Sequence, residues 1–533
     1  MNSHFSKAVL SGIVAAIFFQ RAAAAEFLDA IGMTVLRATT TNLNGMGVRV
    51  GQVEASVGGT PPAFEVNPAL VGQPISLFTY YLSALPYVTV SSSSVYPNSL
   101  GQDSAHADNV ANNFFGMPGG VATNVLHMNN YEANGFINYY IAGNRTFTER
   151  IINQSFTFGT NDESVNQLYD DYAAAHKVLF VNGAGFPNSP VWTPGTIYNG
   201  IGVGVYGPFN AYNSTYGPTV DGRSKPDICA PLAQDAVASY STPQVFGAAA
   251  LLMQAGGRGD GGSDTNSALD IRTLKALLLN GALKPVDWTN SPSAPLHTVY
   301  GAGVVNVFNA YKQLAGGKQN WTATNQVSVG VAHPPIGTAS AVSVLSGWNF
   351  STNTSSPSPA RDTIHHYFFN VTNSALATKF NLTATLVWNR QQGQSAINNL
   401  DLFLYDAANS NLVLCSTSRV DNVEHLRLTN LPAGRYDLQV WKAGGSGSVS
   451  AAEPYALAWE IFSQKINFVR SGTNLTLTWP VYPAGFALEA TTNLPAGWST
   501  NGIPPVTLTN GLNSIPLNLT NGVRFFRLRQ PNL

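Results

Sequence analysis

The sequence predicts an α/β fold in its first part, followed by two domains built from β-strands. Its 533 residues exceed what one hydrophobic core normally holds, so several domains are expected. Between about residues 45 and 315, short apolar runs alternate with helical runs, which indicates a parallel sheet with helices on both faces. After residue 318 the helical patterns give way to period-2 strands separated by turn residues, which is typical of a β-sandwich.

The α/β region contains both kinds of segment in alternation. The strand-like runs are VRVGQVEA, VLFVNGAG and IGVGVYG, and the helical runs are SVNQLYDDYAAAH, PQVFGAAALLMQ and IRTLKALLLNGAL. Parallel strands followed by helices place functional groups at the carboxyl ends of the strands. A functional site is therefore expected at that edge of the sheet.

The remaining sequence divides into two all-β parts. KFNLTATLVW, NLDLFLYDA, EHLRLTNL and RYDLQVW predict a β-sandwich over residues 319–465. NLTLTWP, FALEATT and VRFFRLRQ predict a second, smaller β-domain over residues 466–533.

Composition and the N-terminus restrict the classes of function. Charged residues make up 10% of the chain and the formal net charge is -1, so no basic surface for nucleic acid is expected. Residues 1–25 read as a signal peptide, with Lys7, the apolar run AVLSGIVAAIFF and small residues at 22–25. This run is too short for a membrane anchor, so we expect a secreted protein, extracellular or in the cell envelope; an uncleaved, lipid-embedded N-terminus is the alternative.

Residues with metal or redox chemistry are few. Cys229 and Cys415 fall in different predicted domains, and we expect two buried thiols without a bridge. The nine histidines are scattered, which disfavours structural zinc, and no cofactor is predicted with certainty. Asp401 and Asp406 in NNLDLFLYD are either calcium ligands or turn-flanking carboxylates in water.

The stretch VASYSTPQVFGAAALLMQAGG contains a serine, Ser239, ahead of an apolar helical run. Ser239 is either a helix cap, as the local pattern favours, or a nucleophile at the positive end of a buried helix. Pro243 fits the first turn of that helix, where a missing N–H costs nothing.

Two further segments favour the nucleophile. A buried strand in GMGVRVGQVEAS ends at Glu54, and SAHADNVANNFFG places His106 at the head of a helix. Each residue alone has a structural explanation, as a solvated strand end or a polar residue at a helix start. Their order with Ser239, acid then histidine then serine, is the order of an acyl-transfer triad on an α/β scaffold.

These segments resemble motifs of the subtilisin-like serine proteases, or subtilases, over most of residues 40–315. Residues 237–247 resemble the serine motif G-T-S-x-x-x-P-x-V-x-G, and residues 106–112 resemble the histidine motif H-x-T-x-V-A-G. DGRSKPDICAP, PGTIYNGIGVG and GAGVVNVFNAY resemble three other family segments in the family's order.

The resemblance implies a subtilisin-like peptidase domain over residues 26–318, followed by a jelly-roll or pre-peptidase-like sandwich. It implies a secreted serine endopeptidase that hydrolyses proteins or peptides through an acyl-enzyme. Ser239 would attack, His106 would carry the proton and Glu54 would orient the imidazole, while the Ser239 N–H would bind the oxyanion.

Several residues depart from the family pattern. Glu54 replaces the usual Asp and is one methylene longer, and Phe186 occupies the position of the oxyanion-stabilising Asn. Asn182 and Asn188 lie close in sequence, and Asn188, on the same loop as Phe186, is the preferred replacement donor. Asp108 replaces a Thr beside His106, whose pKa it could raise.

Further departures concern the backbone and the start of the chain. Val237 and Ala238 replace Gly-Thr before the serine, which narrows the cleft if the backbone bends there. The stretch from residue 26 to the strand ending at Glu54 is too short for the family's folding prodomain. Folding is then expected to be unaided or helped by the C-terminal domains.

Two other hypotheses follow from these departures. The first is a catalytically impaired subtilase-like pseudoprotease that acts as an extracellular binding or surface protein. The second is a sedolisin-like site, in which Glu54 and Asp108 act with the serine, although the retained His106 disfavours it.

Overall fold

The structure is a computed structural model that describes most of the chain after the N-terminus. It describes residues 28–40, 42–84, 87–90, 95–207, 215–231, 237–321, 324–328, 342, 344–358, 360–373, 378–445, 448–509, 511–518 and 523–529. The predicted signal peptide, residues 1–25, lies outside the described residues.

The α/β region is built on a central eight-stranded sheet. The strands of this region are β1 (Arg49–Glu54), β2 (Ala63–Glu65), β3 (Phe78–Ala84), β4 (Tyr87–Val90), β5 (Gln102–Asp103), β6 (His127–Glu132), β7 (Ile151–Gln154), β8 (Leu179–Gly183), β9 (Ile201–Tyr206) and β10 (Ile228–Pro231). The order in the sheet is β10-β9-β8-β7-β1-β6-β3-β4, and β2 pairs separately with β5. All neighbours in the large sheet are parallel except β3 and β4, which confirms the predicted parallel sheet.

Helices cover both faces of this sheet. They are α1 (Met33–Thr39), α2 (Ala105–Phe114), α3 (Ala133–Gly135), α4 (Glu163–His176), α5 (Ala238–Gly257), α6 (Thr265–Ala268), α7 (Ile271–Asn280) and α8 (Val307–Ala315), with a 3-10 turn at Ile75–Leu77 and a π-helical segment at Phe136–Ile141. Phe180 of β8 contacts Tyr169 of α4, with ring centroids 5.0 Å apart. Gly183 of the same strand faces Thr242 of α5, whose Oγ1 would lie 3.6 Å from an added Cβ. Since residues 180 and 183 point to opposite faces, α4 and α5 cover different sides.

Helix α5 runs through the core, as its apolar sequence predicts. Every residue from Ser241 to Gly256 is buried. Gly247 lets the helix approach closely, because an added Cβ would lie only 2.6 Å from Val121. The expectation for Pro243 was wrong, since the helix begins at Ala238 and Pro243 lies inside it. The missing Pro243 N–H leaves a gap in the backbone ladder one turn after the helix start.

The second part of the chain is a β-sandwich, as predicted. Its strands are β11 (Thr324–Ser328), β12 (Ser346–Thr354), β13 (Ser356–Pro357), β14 (Ala360–Val371), β15 (Lys379–Trp388), β16 (Leu400–Asp406), β17 (Asn411–Ser416), β18 (Val423–Pro432), β19 (Gly434–Lys442) and β20 (Ala452–Phe462). One antiparallel sheet has the order β11-β14-β19-β16-β17, with β13 on β14, and the other has the order β12-β20-β15-β18. Tyr367 and Phe369 of the first sheet contact Trp459 of the second, with ring centroids 5.7 and 5.6 Å apart.

The last part is a smaller all-β unit. Its strands are β21 (Asn467–Ser471), β22 (Asn474–Pro480), β23 (Ala487–Thr491), β24 (Thr507–Thr509), β25 (Leu512–Asn518) and β26 (Phe525–Arg529). They form a sheet of order β21-β22-β25-β24 and a separate pair, β23 with β26. A small cluster centred on Trp479 and Ile515 is its core.

The hydrophobic core of the α/β region continues into both β-parts. Trp348 and Val387 of the sandwich and Val481 and Ala484 of the last part belong to the same buried cluster as the central sheet. Trp348 also donates its indole N–H to the Leu314 carbonyl of α8, at 3.0 Å. The strands of each part fall within the predicted ranges 26–318, 319–465 and 466–533, which stay predictions as domain boundaries.

Buried polar contacts join the sandwich to the α/β region. Arg390 forms an ion pair with Asp170 of α4, with Nη2 and Oδ2 2.8 Å apart. Asn199 exchanges two hydrogen bonds of 2.8 Å with the Arg390 backbone. The Asp421 carboxylate accepts from the Ser224 N–H at 2.7 Å. These contacts fix the sandwich against the edge of the central sheet that contains β9 and β10.

Both cysteines are thiols, as expected. Cys229 is buried in β10, and its Sγ lies 3.4 Å from the Val299 carbonyl oxygen. Cys415 is only partly buried, which differs from the prediction, because it lies on an edge strand of the sandwich. No helix within the described ranges is long and apolar enough to cross a bilayer.

Candidate active site

Glu54, His106 and Ser239 converge at the carboxyl edge of the central sheet. Glu54 is the last residue of β1, His106 lies in the first turn of α2, and Ser239 lies in the first turn of α5. Ser104 starts α2 by accepting the Ala107 N–H on its hydroxyl, at 3.3 Å. All three candidate residues line one cavity of about 410 Å³. The fold therefore brings an acid, an imidazole and a hydroxyl from distant segments to one place.

Glu54 and His106 form a hydrogen-bonded pair. The Glu54 Oε1 atom contacts His106 Nδ1, and the carboxylate is buried while a third of the imidazole is exposed, at 34%. This contact holds the Nδ1–H tautomer, which leaves Nε2 as the basic nitrogen of a neutral ring. The one-methylene extension of Glu54 thus does not prevent it from reaching the imidazole.

The pair shifts the titration of both groups. Burial raises the pKa of Glu54, and the hydrogen bond and charge of His106 oppose that shift. Burial lowers the pKa of His106, but the hydrogen bond and charge of Glu54 outweigh it, so that pKa lies above its ordinary value. Asp108, expected from sequence to have this effect, instead accepts the Asn67 N–H at 2.6 Å.

Ser239 is not a helix cap. The N-cap residue of α5 is Val237, and no side chain caps the helix. The Ser239 hydroxyl donates to the Ser155 carbonyl just after β7, at 3.0 Å. No hydrogen bond joins Ser239 to His106 in the part of the chain described. Ser239 and His106 line the same cavity, but the hydroxyl is turned toward a backbone acceptor.

The start of α5 supplies backbone donors at the cavity. The first N–H groups of an α-helix have no partner within the helix, and here no side chain satisfies them. Val237, Ala238 and Ser239 all line the cavity. A negative charge developing there would be stabilised by these N–H groups and by the helix dipole.

A comparison with protein families finds a match over part of the α/β region. Residues 123–303 match the model of the subtilase family, Peptidase_S8. That segment is similar to the subtilases. It contains Ser239, whereas Glu54 and His106 lie before it, so their assignment depends on the contacts described above.

Solved structures of subtilisin-like proteases are similar to the chain at low identity. A protease from Pseudoalteromonas arctica PAMC 21717 is 18% identical, with 51% of this chain and 91% of that chain covered and a TM-score of 0.34. The protease Apa1 from Pseudoalteromonas sp. AS-11 is 11% identical, with 53% and 97% covered and a TM-score of 0.32. The patellamide maturation protease PatG is 16% identical, with 54% and 96% covered and a TM-score of 0.36. No curated protein matches the chain.

Phe186, which stands at the oxyanion position implied by the resemblance, has no side-chain donor. Phe186 lines the cavity, is 54% exposed and packs edge-on against Trp192, with ring centroids 5.9 Å apart. Asn182 is buried and donates to the Pro194 carbonyl at 3.0 Å. Asn188 is exposed, has a left-handed backbone with φ 58°, and is not among the residues that line the cavity. Neither asparagine is therefore among the residues that line the cavity.

Two residues at this cavity were not singled out from the sequence. Ser155 supplies the carbonyl that holds Ser239, and Thr157 lines the cavity two residues later. The Thr157 Oγ1 atom is buried, and no described group hydrogen-bonds to it. The signal available in the sequence was their position immediately after the strand IINQ, at the same sheet edge as Glu54.

The possible calcium ligands are not among the residues that line the cavity. Asp406 accepts from the Ala408 N–H and the Asn409 side chain, at 2.8 and 2.9 Å, as a turn carboxylate does. Asp401 accepts from Asn399 at 3.3 Å, and burial raises its pKa to about 7. Among the described residues no group of three or more His, Cys, Asp or Glu side chains is suited to hold a metal.

Proposed function

We propose that the chain is a serine endopeptidase with Ser239 as nucleophile, His106 as general base and Glu54 as the acid that orients the imidazole. The observation that supports this most is the contact of buried Glu54 with His106 Nδ1, beside a cavity that Ser239 also lines. The match of residues 123–303 to the subtilase family supports the same chemistry.

The proposed reaction begins with proton transfer from Ser239 to His106. His106 Nε2 takes the hydroxyl proton as Oγ attacks the peptide carbonyl carbon, and the imidazolium is stabilised by Glu54. The imidazolium then protonates the leaving amine, so the C–N bond breaks and an ester to Ser239 forms. Water, deprotonated by His106, hydrolyses the ester and regenerates the serine.

The Ser239 hydroxyl must turn before this reaction. The hydroxyl donates to the Ser155 carbonyl rather than to the imidazole, so it has to leave that acceptor before attack. Hydrogen bonds of this kind are often misaligned without substrate and tighten when it binds. A substrate strand alongside residues 155–157 would compete for that carbonyl and release the hydroxyl.

The oxyanion requires a second donor besides the Ser239 N–H. Asn188 remains the candidate from the sequence, and a change of the loop around Phe186 would have to bring it to the cavity. Thr157 is the candidate from the structure, because the residue lines the cavity and none of the described groups hydrogen-bonds to its buried hydroxyl. Comparing Asn188→Ala with Thr157→Val distinguishes the two, since only loss of the true donor lowers kcat while leaving KM almost unchanged.

A fluorophosphonate probe tests the whole proposal. The purified protein should be labelled on Ser239, and Ser239→Ala should not be labelled. Ser241→Ala is the matched control, because Ser241 lies on the same helix, is buried and donates to the Ala238 carbonyl at 3.1 Å. Absence of labelling under conditions that label a control protease would refute the enzyme proposal.

A pseudoprotease is the second candidate, and one observation favours it. The Ser239 hydroxyl is engaged by Ser155 while the exposed Phe186 stands at the oxyanion position. In that case the cavity would bind peptides without cleaving them. Binding of a peptide library by both the natural protein and Ser239→Ala, with no cleavage by either, is the result that supports this alternative.

We further propose that the protein is exported after removal of residues 1–25. The support is the charge and apolar pattern of that segment. N-terminal sequencing of protein exported by a bacterial host should begin close after residue 25. Retention of the intact N-terminus in the membrane fraction would instead support the uncleaved alternative.

A further inference from the structure

A second cavity lies where the three parts of the chain meet. It has a volume of about 200 Å³. Leu283 and Lys284 line it from the α/β region, Arg427 and Glu460 from the sandwich, and Ala484 from the last part. The exposed Thr429 also lines it, so the cavity is open to solvent at one side.

Lys284 is a buried cation without a described carboxylate partner. It is 5% exposed, and its Nζ donates to the Ala282 carbonyl at 3.2 Å. The other buried lysines of this region are different, since Lys225 and Lys275 both pair with Asp227, at 2.5 and 3.0 Å. A buried ammonium group that has no counter-ion destabilises the folded state unless an anion reaches it.

Arg427 is a second cation without a described carboxylate partner, and it is only partly buried. It lies on β18, opposite Thr383 of β15, and none of the described residues accepts a hydrogen bond from its guanidinium. Both cations approach the ring of Trp288, with Lys284 Nζ 5.2 Å and Arg427 Cζ 5.4 Å from its centroid. A single indole ring offsets only part of the cost of two positive charges.

The pKa shifts around Lys284 are those expected where positive charges have no negative charge close by. Burial, and then the charge of Arg427, hold the pKa of Lys284 well below its ordinary value. His425, whose ring packs on Trp288, has its pKa lowered by burial and by both cations. Glu460 lines the same cavity, but it is buried beside Gln313, and burial raises its pKa to about 7.

We propose that this cavity binds a small oxyanion, a carboxylate or phosphate group, between Lys284 and Arg427. The volume suits inorganic phosphate or a short dicarboxylate, and it is smaller than the pockets that hold drug-sized ligands. Because its walls come from all three parts of the chain, the anion would stabilise their association. The proposal does not depend on peptidase activity.

Thermal unfolding with defined anions tests the site. The Tm of the full chain is measured in sodium chloride and, at equal ionic strength, in inorganic phosphate or in malonate. The natural protein should gain a few degrees that increase with the logarithm of anion concentration. Lys284→Met should unfold at or above the natural Tm in chloride, because a buried unpaired charge is removed, and should lose the gain from the anion.

Two further variants make the result decisive. Arg427→Gln changes a partly exposed residue, so this variant should fold. It should also lose the rise in Tm caused by the anion, and it replaces Lys284→Met as the test if that variant does not fold. Lys379→Met removes an exposed lysine of the sandwich and should keep the full gain. Equal Tm values of the natural protein in chloride, phosphate and malonate would overturn the proposal, as would a full gain in both cavity variants. A gain from only one of the two anions identifies the ligand class.

Discussion

The two halves of the candidate active site differ in how completely their polar groups are arranged for catalysis. In the Glu54–His106 half, a buried carboxylate contacts the imidazole and selects its tautomer. In the Ser239–Phe186 half, the hydroxyl donates to a backbone carbonyl, and the position of the subtilase asparagine carries an exposed ring.

Under the proposed function, this difference separates an acid–base pair that is already arranged from a nucleophile and an oxyanion site that are not. Acid–base catalysis needs an oriented histidine, and that orientation is present without substrate. Nucleophilic attack and oxyanion binding depend on groups that a bound peptide would have to rearrange. The following predictions separate the contributions of the two halves.

Removal of the nucleophile should have the largest effect. We expect Ser239→Ala to lower peptide hydrolysis to background, a loss of about 10⁵-fold or more, the scale measured for the serine of a subtilisin. Hydrolysis of a fluorogenic peptide measures this loss, with Ser241→Ala as the control that should keep activity. Equal rates for the natural protein and Ser239→Ala would assign any activity to a contaminant.

Removal of the orienting charge should have the next largest effect. Glu54→Gln keeps the size of the side chain but cannot stabilise the imidazolium, so kcat should fall by about 10³–10⁴-fold. Glu54→Asp keeps the charge but shortens the reach, and a displacement of about 1 Å should cost about 10²-fold. If Glu54→Asp is faster than the natural protein, the extra methylene is a defect and not an adapted contact.

Repair of the other half should increase activity. Phe186→Asn restores a donor type whose loss costs about 10²–10³-fold in a subtilisin, so kcat should rise by up to about 10²-fold. Because Phe186 is 54% exposed, the Tm should change little. Phe186→Ala removes the ring without adding a hydrogen-bond donor. An equal rise of kcat in both variants would mean that the ring had only blocked the cleft.

The pH profile should show the smallest effect. General-base catalysis needs neutral His106, and Glu54 holds the pKa of His106 above its ordinary value. On the acid side of the pH profile, kcat/KM should therefore decrease as the pH is lowered, and the midpoint of this acid limb should lie above about pH 6.5. In Glu54→Gln the limb should move to lower pH, and an unmoved limb would show that another group controls it.

The sequence predicted the parts of the site that local pattern determines. The end of a buried strand at Glu54 and the start of a helix at His106 follow from apolar runs and a serine cap. The partner of the Ser239 hydroxyl was not predictable, because Ser155 reaches it from a strand 84 residues away in the chain. The place of Asn188 also could not be predicted, since the left-handed backbone of its loop decides where its side chain lies.

The same limit applies to the second cavity. Lys284 follows a helix and Arg427 lies in a period-2 strand, and each alone resembles an ordinary solvated cation. Only the packing of the sandwich against α7 and α8 buries them beside one tryptophan. Contacts between domains carry no periodic signal in the sequence, so such a cluster becomes visible only in three dimensions.

The shared hydrophobic core has a consequence for how this protein can be shortened. Trp348 is fully buried against α8, and Val481 and Ala484 belong to the same hydrophobic core. Shortening the chain to its first 318 residues would therefore expose an apolar surface on the α/β region. The strands of the two β-parts thus help to stabilise the α/β region that positions the candidate catalytic groups. Any natural trimming of the tail would have to stop short of these side chains to leave a soluble product.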